Sequence, residues 1–92
     1  MATRAHSDDA RRETVDEDRE QISRWLDALF KDTRVVSQLD AVLRAETFDL
    51  PAVAMEIVIA LPPGRYTRAR LCDQLNSAIV ARGLSRDLGT HD

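Results

Sequence analysis

One apolar segment, residues 51–61, limits the folds open to this chain more than any other feature. Glu56 is its only charged residue, and aliphatic side chains fall on all sides of it. Such a segment has to be covered on all sides, whatever its secondary structure. In a chain of 92 residues the other short segments cover it only in part. The sequence therefore predicts a homodimer with this segment at the interface, through Val53, Met55, Ile57, Val58 and Ile59.

The pattern of this segment fits either a helix or a strand. Apolar residues alternate along it and β-branched residues are frequent, which favours a strand. Asp49 and Pro51 form a typical helix start, and three alanines and the lack of a second strand to pair with favour a helix. We predict a helix over residues 50–61. The alternative, a strand that pairs with the same strand of a second copy, stays open at this point.

Apolar side chains at helical spacing predict a first helix over residues 15–31. Thr14 and Glu17 form a capping-box pattern at its start. Its buried stripe is expected to contain Ile22, Trp25, Leu26, Leu29 and Phe30. Residues 1–13 are small, polar and charged without apolar periodicity, which predicts a disordered arm.

Two further helices are predicted over residues 34–46 and 68–82. Asp32 or Thr33 is the expected cap of the former, and Thr67 caps the latter. Gly83 is placed for a left-handed helix end. The expected core positions of the former helix are Val35, Val36, Leu39, Val42 and Leu43, and those of the latter are Leu71, Cys72, Leu75, Ala78 and Ile79.

Together these segments predict an all-α fold of four helices in a single domain, residues 14–84. Residues 85–92 are expected to form a frayed tail, so both termini are flexible in this prediction. The turn at Pro62-Pro63-Gly64 joins the last two helices at a sharp angle. Residues 50–83 thus follow the general layout of a helix-turn-helix element.

The composition points to a cytoplasmic protein. No apolar run approaches the length needed to span a bilayer, and the first residues lack the apolar core of a signal peptide. A single cysteine cannot form an internal disulfide, which agrees with a reducing compartment.

Catalytic constellations are missing from the sequence. His6 and His91 lie in the predicted flexible ends, and Cys72 lies on the buried stripe of the last helix without a base to activate it. No phosphate-binding loop and no metal-binding motif is present. We therefore expect a protein that is not an enzyme, holds no metal or cofactor, shows no sign of a small-molecule substrate, and acts by binding.

Three arginines around the start of the last helix form the strongest candidate site. Cations are disfavoured at a helix N-terminus, so their presence there indicates a bound anion. The candidate nucleic-acid or anion site consists of Arg65, Tyr66, Thr67, Arg68, Arg70, Gln74 and Ser77. Two other interpretations stay open: these arginines pair with acids of the same chain, or they bind an acidic protein.

Charge and site together predict a small regulatory protein that contacts DNA through the N-terminal part of its last helix. The net charge of −3 opposes this role, since a net acidic chain is not drawn to polyanions as a whole. Twelve of the sixteen acidic residues fall in residues 1–50. The alternative is therefore a protein–protein adaptor or inhibitor that uses this acidic half and the apolar segment 51–61.

Overall fold

The computed structural model describes the backbone of residues 2–92 and the side chains of residues 16–92. The chain is mostly helical, as predicted, with a small antiparallel sheet that the sequence did not predict. The elements in chain order are α1 (Ala2–Leu29), β1 (Val35–Ser37), α2 (Gln38–Thr47), α3 (Ala52–Ile59), β2 (Arg65–Thr67), α4 (Arg68–Ala81) and α5 (Ser85–Leu88).

The first helix begins much earlier than predicted. It starts at Ala2, so Thr14 lies inside the helix and is not its cap. Alanine and arginine are frequent in residues 2–14, and no proline or glycine interrupts them, so the helix continues through this segment. The predicted disordered arm over residues 1–13 therefore differs from the structure, in which the backbone of residues 2–13 is helical. Met1 lies outside the described residues.

The predicted stripe of α1 forms the centre of the core. Ile22, Trp25, Leu26 and Leu29 are all buried, and Trp25 is fully so. The indole Nε1–H of Trp25 donates a hydrogen bond of 3.1 Å to the carbonyl of Ala41 in α2. The polar atom of the largest core side chain thus has a hydrogen-bond partner, and the same bond holds α2 against α1.

The second helix turns a different face to the core than predicted. Its buried residues are Ala41 and Ala45, while Leu39 and Leu43 are 62% and 52% exposed. Periodicity alone favours the larger aliphatic side chains as core residues. Here the backbone of α2 lies close enough to Trp25 for a hydrogen bond, which only small side chains on the facing side permit.

A short antiparallel ribbon explains why α2 starts later than predicted. Val35–Ser37 pairs with Arg65–Thr67, with Val36 opposite Tyr66. Because residues 35–37 are extended, the helix cannot start at Asp32 or Thr33. Ser37 caps it instead, in a complete capping box with Asp40. The last residue of β2, Thr67, caps α4 in the same way as predicted, by accepting from the Arg70 amide.

The apolar segment 51–61 is a helix, which confirms that prediction and excludes the strand alternative. It spans Ala52–Ile59 and buries Ala54, Ile57 and Val58. Pro51 occupies the N-cap position without a side-chain hydrogen bond. Asp49, the expected cap, instead has a left-handed backbone with φ of 54°, so it lies in the turn between α2 and α3.

The last long helix ends as predicted, and the chain then folds back on the core. Gly83 has φ of 70°, and the Leu84 amide donates to the Ile79 carbonyl, as in a Schellman motif. Residues 85–92 differ from the predicted frayed tail. They include α5, Leu88 is 1% exposed, and the backbone of His91 exchanges two hydrogen bonds with the Asn76 side chain.

The Trp25–Ala41 hydrogen bond leads to a testable expectation for stability. Trp25→Phe keeps an aromatic ring but loses the donor and leaves a small void. We expect it to lower the free energy of unfolding by about 1–3 kcal/mol, measured by urea denaturation followed by far-UV circular dichroism.

The control for this substitution is Arg24→Ala. It removes the exposed α1 ion pair to Glu20, and we expect a change of no more than about 0.5 kcal/mol. Equal effects of the two substitutions would contradict a central role for Trp25.

Candidate functional site

The structure divides the predicted arginine cluster into two groups. Arg65 and Arg70 are exposed, and neither forms an ion pair with any of the side chains described, residues 16–92. Arg68 is half-buried and forms an ion pair of 2.9 Å with Asp27 of α1. Its Nε–H also donates to the Asp92 carbonyl at 2.8 Å. Arg68 therefore joins α4 to α1 and to the last described residue.

Two other members of the predicted site have structural roles. Tyr66 is 4% exposed, and its hydroxyl donates a hydrogen bond of 2.5 Å to the Pro62 carbonyl. Thr67 uses its hydroxyl to cap α4. Gln74 is half-buried and Ser77 is exposed, both on α4. Of the predicted anion ligands, the arginines that are exposed and form no ion pair with the side chains of residues 16–92 are Arg65 and Arg70.

The connection between α3 and α4 differs from the tight turn of a helix-turn-helix element. Residues 60–67 separate the two helices and include β2, which is paired with β1. A helix-turn-helix element has a turn of three or four residues. The strand pairing therefore sets the start of α4 here, in place of a short turn.

The predicted dimer interface on α3 is largely covered by the chain itself. Ile57 and Val58 are 3% and 1% exposed and belong to the core. Val53 and Met55 pack against that core and are half-buried. Ile59 is 57% exposed. The prediction of a dimer through this segment did not take into account the cover that α2 and α4 of the same chain supply. Because of this cover, α3 does not need a second copy to bury it.

A groove beside α2 combines apolar and charged groups. Its volume is about 420 Å³, and it lies between α2, the end of α1 and β1. Leu29 and Val36 are each 5% exposed and form its floor, and Leu43 forms its edge. Leu39 lies one helical turn before Leu43 and continues the same apolar stripe. The groove is lined by Leu29, Thr33, Val36, Asp40, Leu43, Arg44 and Thr47.

The charges of this groove come from α2 itself. Asp40 accepts from the Ser37 amide at 3.4 Å and so stabilises the helix start. Arg44 lies one turn later, is exposed, and forms no ion pair with the side chains of residues 16–92. Hydrophobic periodicity does not reveal this surface, because it predicts that both leucines belong to the core. The sequence feature that could have revealed this surface is the pair of alanines Ala41 and Ala45. They are one turn apart, like the leucines, and they form the buried face of α2.

A second cleft, of about 480 Å³, lies where the end of the chain meets α1. Arg19, Ser23, Ser85 and His91 are among its lining residues. Arg19 donates to the Arg86 carbonyl, and the His91 ring nitrogen Nε2 bonds to the Leu88 carbonyl at 2.8 Å. The donors of this cleft thus hold the chain end in place.

The chain offers no likeness from which a function could be read. It matches no protein family model, no curated protein and no solved structure. Within residues 16–92, no three His, Cys, Asp or Glu side chains are grouped so that they could hold a metal ion. None of the described helices combines the length and apolar character required for crossing a bilayer. The function is therefore inferred from the geometry of the surface.

The one cysteine is part of the core. Cys72 is 3% exposed on α4. Burial raises the pKa of its thiol above the ordinary value, and the nearby carboxylates of Asp92 and Asp73 act in the same direction, while Arg68 lowers it. The folded chain therefore keeps the thiol protonated at a pH where the unfolded chain has begun to lose that proton.

This shift predicts a loss of stability at alkaline pH. Between the pKa of the unfolded thiol, about 8.5, and the raised pKa of the folded one, the folded state binds more protons, so the free energy of unfolding falls as pH rises. We expect this fall to be smaller in Cys72→Ala when urea unfolding is compared between pH 7.5 and about 9.5. If the free energy of unfolding fell equally with pH in both proteins, Cys72 would have the same pKa in the folded and the unfolded state, which would contradict the prediction.

Proposed function

We propose that this protein is a non-catalytic binding module that binds a protein partner through the surface formed by Leu39, Leu43 and the adjoining groove. This is the alternative function given above, a protein–protein adaptor or inhibitor. The surface of α2 here takes the place of the apolar segment 51–61. The observation that carries it is the exposure of Leu39 and Leu43, 62% and 52%, on a helix that buries only alanines. Clustered exposed apolar groups with a polar rim are typical of interaction sites.

The shape of the surface supports a partner with an apolar helical face. The stripe of α2 rises beside a groove whose floor is already apolar, so a partner side chain can enter between Leu29 and Leu43. Asp40 and Arg44 border the stripe and can pair with charges of the partner. This arrangement of an apolar centre and a charged border resembles the way in which helices dock into grooves.

The proposal is tested with a photoreactive amino acid at one position at a time. At position 43 we expect a covalent adduct of discrete mass with one protein in the cells that make this chain. The matched control is position 80, because Val80 is also exposed, at 61%, and does not line the groove. A partner identified by mass is then purified and titrated directly.

In that titration Leu39→Ser/Leu43→Ser should weaken binding at least about tenfold, and Val80→Ser should leave it unchanged. Because both leucines are exposed, the double variant should keep its free energy of unfolding within about 1 kcal/mol of the original. A large loss of stability would place the leucines in the core and contradict the proposal. Equal crosslinking from positions 43 and 80 would contradict it as well.

A second candidate function is contact with DNA, the role that the sequence analysis placed first. The observation in its favour is that Arg65 and Arg70 are exposed at the start of α4, with no carboxylate of residues 16–92 bound to either. Gln74 and Ser77 follow Arg70 at helical spacing. The ion pair of Arg68 and the net charge of −3 weigh against it.

Duplex binding at low salt tests this second candidate. If the two arginines contact phosphates, Arg65→Ala/Arg70→Ala should reduce the dependence of log K on log salt by about 2, since each phosphate contact contributes about 0.9. Arg86→Ala, an exposed arginine on α5, is the charge-matched control. Undetectable binding of the unmodified protein at low salt would eliminate the DNA role.

A further inference from the structure

We infer that the partner of the α2 surface is a second copy of this chain, docked with its own α2 antiparallel across a two-fold axis. This inference rests on the proposed function of that surface and names its occupant. The inference depends on the two charged residues and the two leucines of α2. Each of these pairs is complementary to itself when the helix direction is reversed.

The charges lie on one flank of the apolar stripe. Asp40 and Arg44 are separated by one turn, on the groove side of Leu39 and Leu43. In an antiparallel helix pair, this flank meets the same flank of the other copy in reverse order. Asp40 of each copy then faces Arg44 of the other, so that one type of contact forms twice.

The antiparallel arrangement also pairs the leucines of the two copies. Leu39 of one copy meets Leu43 of the other, and the two-fold axis passes between them. A single helix thereby supplies both halves of a symmetric interface, as most homodimers require. Asp40 carries out its capping role with one carboxylate oxygen, which leaves the other oxygen available for a guanidinium of the second copy.

The size of the surface sets the strength of the expected dimer. The helix α2 has 10 residues and is thus about 15 Å long. A pair of such helices buries less area than a standard stable interface, so the dissociation constant should be on the order of 100 µM. The dimer is expected to form reversibly as the concentration is raised.

Opposite charge reversals test the antiparallel pairing by sedimentation velocity over a range of concentrations. Arg44→Glu places two carboxylates opposite each other, and Asp40→Lys places two cations opposite each other, so each variant alone should stay monomeric. In a mixture of the two variants both ion pairs are restored, and we expect a heterodimer to form. Arg86→Glu, which makes the same charge change on α5, should dimerise like the unmodified chain.

Disulfide formation is a second measurement that leaves the capping box intact. In a Cys72→Ala background, proteins with Leu39→Cys and Leu43→Cys are mixed in the presence of oxidised glutathione. The mixed disulfide should form faster than either homodimeric disulfide, because the proposed pairing places position 39 of one copy beside position 43 of the other.

Self-association that persists in Arg44→Glu, or an absence of mixed disulfide enrichment, would overturn the antiparallel pairing. If the unmodified chain remains monomeric at every concentration while position 43 crosslinks to a different protein, the second copy is not the occupant, but the proposed binding function stands. If position 43 crosslinks to nothing in cells and the purified chain stays monomeric at every concentration, both proposals fail.

Discussion

The hydrogen bond between the indole of Trp25 and the carbonyl of Ala41 is the contact on which the arrangement of this chain depends. A fully buried indole N–H without a partner would cost free energy, so α2 has to bring a backbone carbonyl within reach. The alanines Ala41 and Ala45 allow that approach because their side chains take little room. With its alanine side inward, α2 turns Leu39 and Leu43 outward. The exposed stripe is thus a direct consequence of how the core is packed.

The paired strands add a second constraint, on where the helices begin. Ser37 and Thr67 end their strands and cap the helices that follow, so the starts of α2 and α4 are fixed by one ribbon. The Gln38 amide extends this pairing by donating to the Gly64 carbonyl. A ribbon of three residues per strand is marginal by itself. It persists here because Val36 and Tyr66, opposite each other, are both buried in the core.

The arginines at the start of α4 show how packing divides chemically similar residues. Arg68 contacts Asp27 and the backbone of Asp92, and so helps to hold the last residues against the helices. Arg65 and Arg70 are solvent-exposed. A cluster that looks uniform in sequence therefore contains one residue with a structural role and two that are available for binding. This division leaves two of the three arginines for the proposed contact with DNA.

The sequence by itself determined the helical character of the chain, the stripe of α1, the helix within residues 51–61 and the cap and end of α4. These features depend on local spacing, on capping residues and on glycine, which act within a few positions. The tertiary structure alone decided which face of α2 is buried, that residues 35–37 pair with 65–67, and that residues 85–92 pack on the core. Each of these depends on contacts between distant segments, such as Trp25 with Ala41 or Asn76 with His91. Hydrophobic periodicity cannot predict them, because it ranks side chains by size and polarity and not by the space that a neighbouring segment leaves.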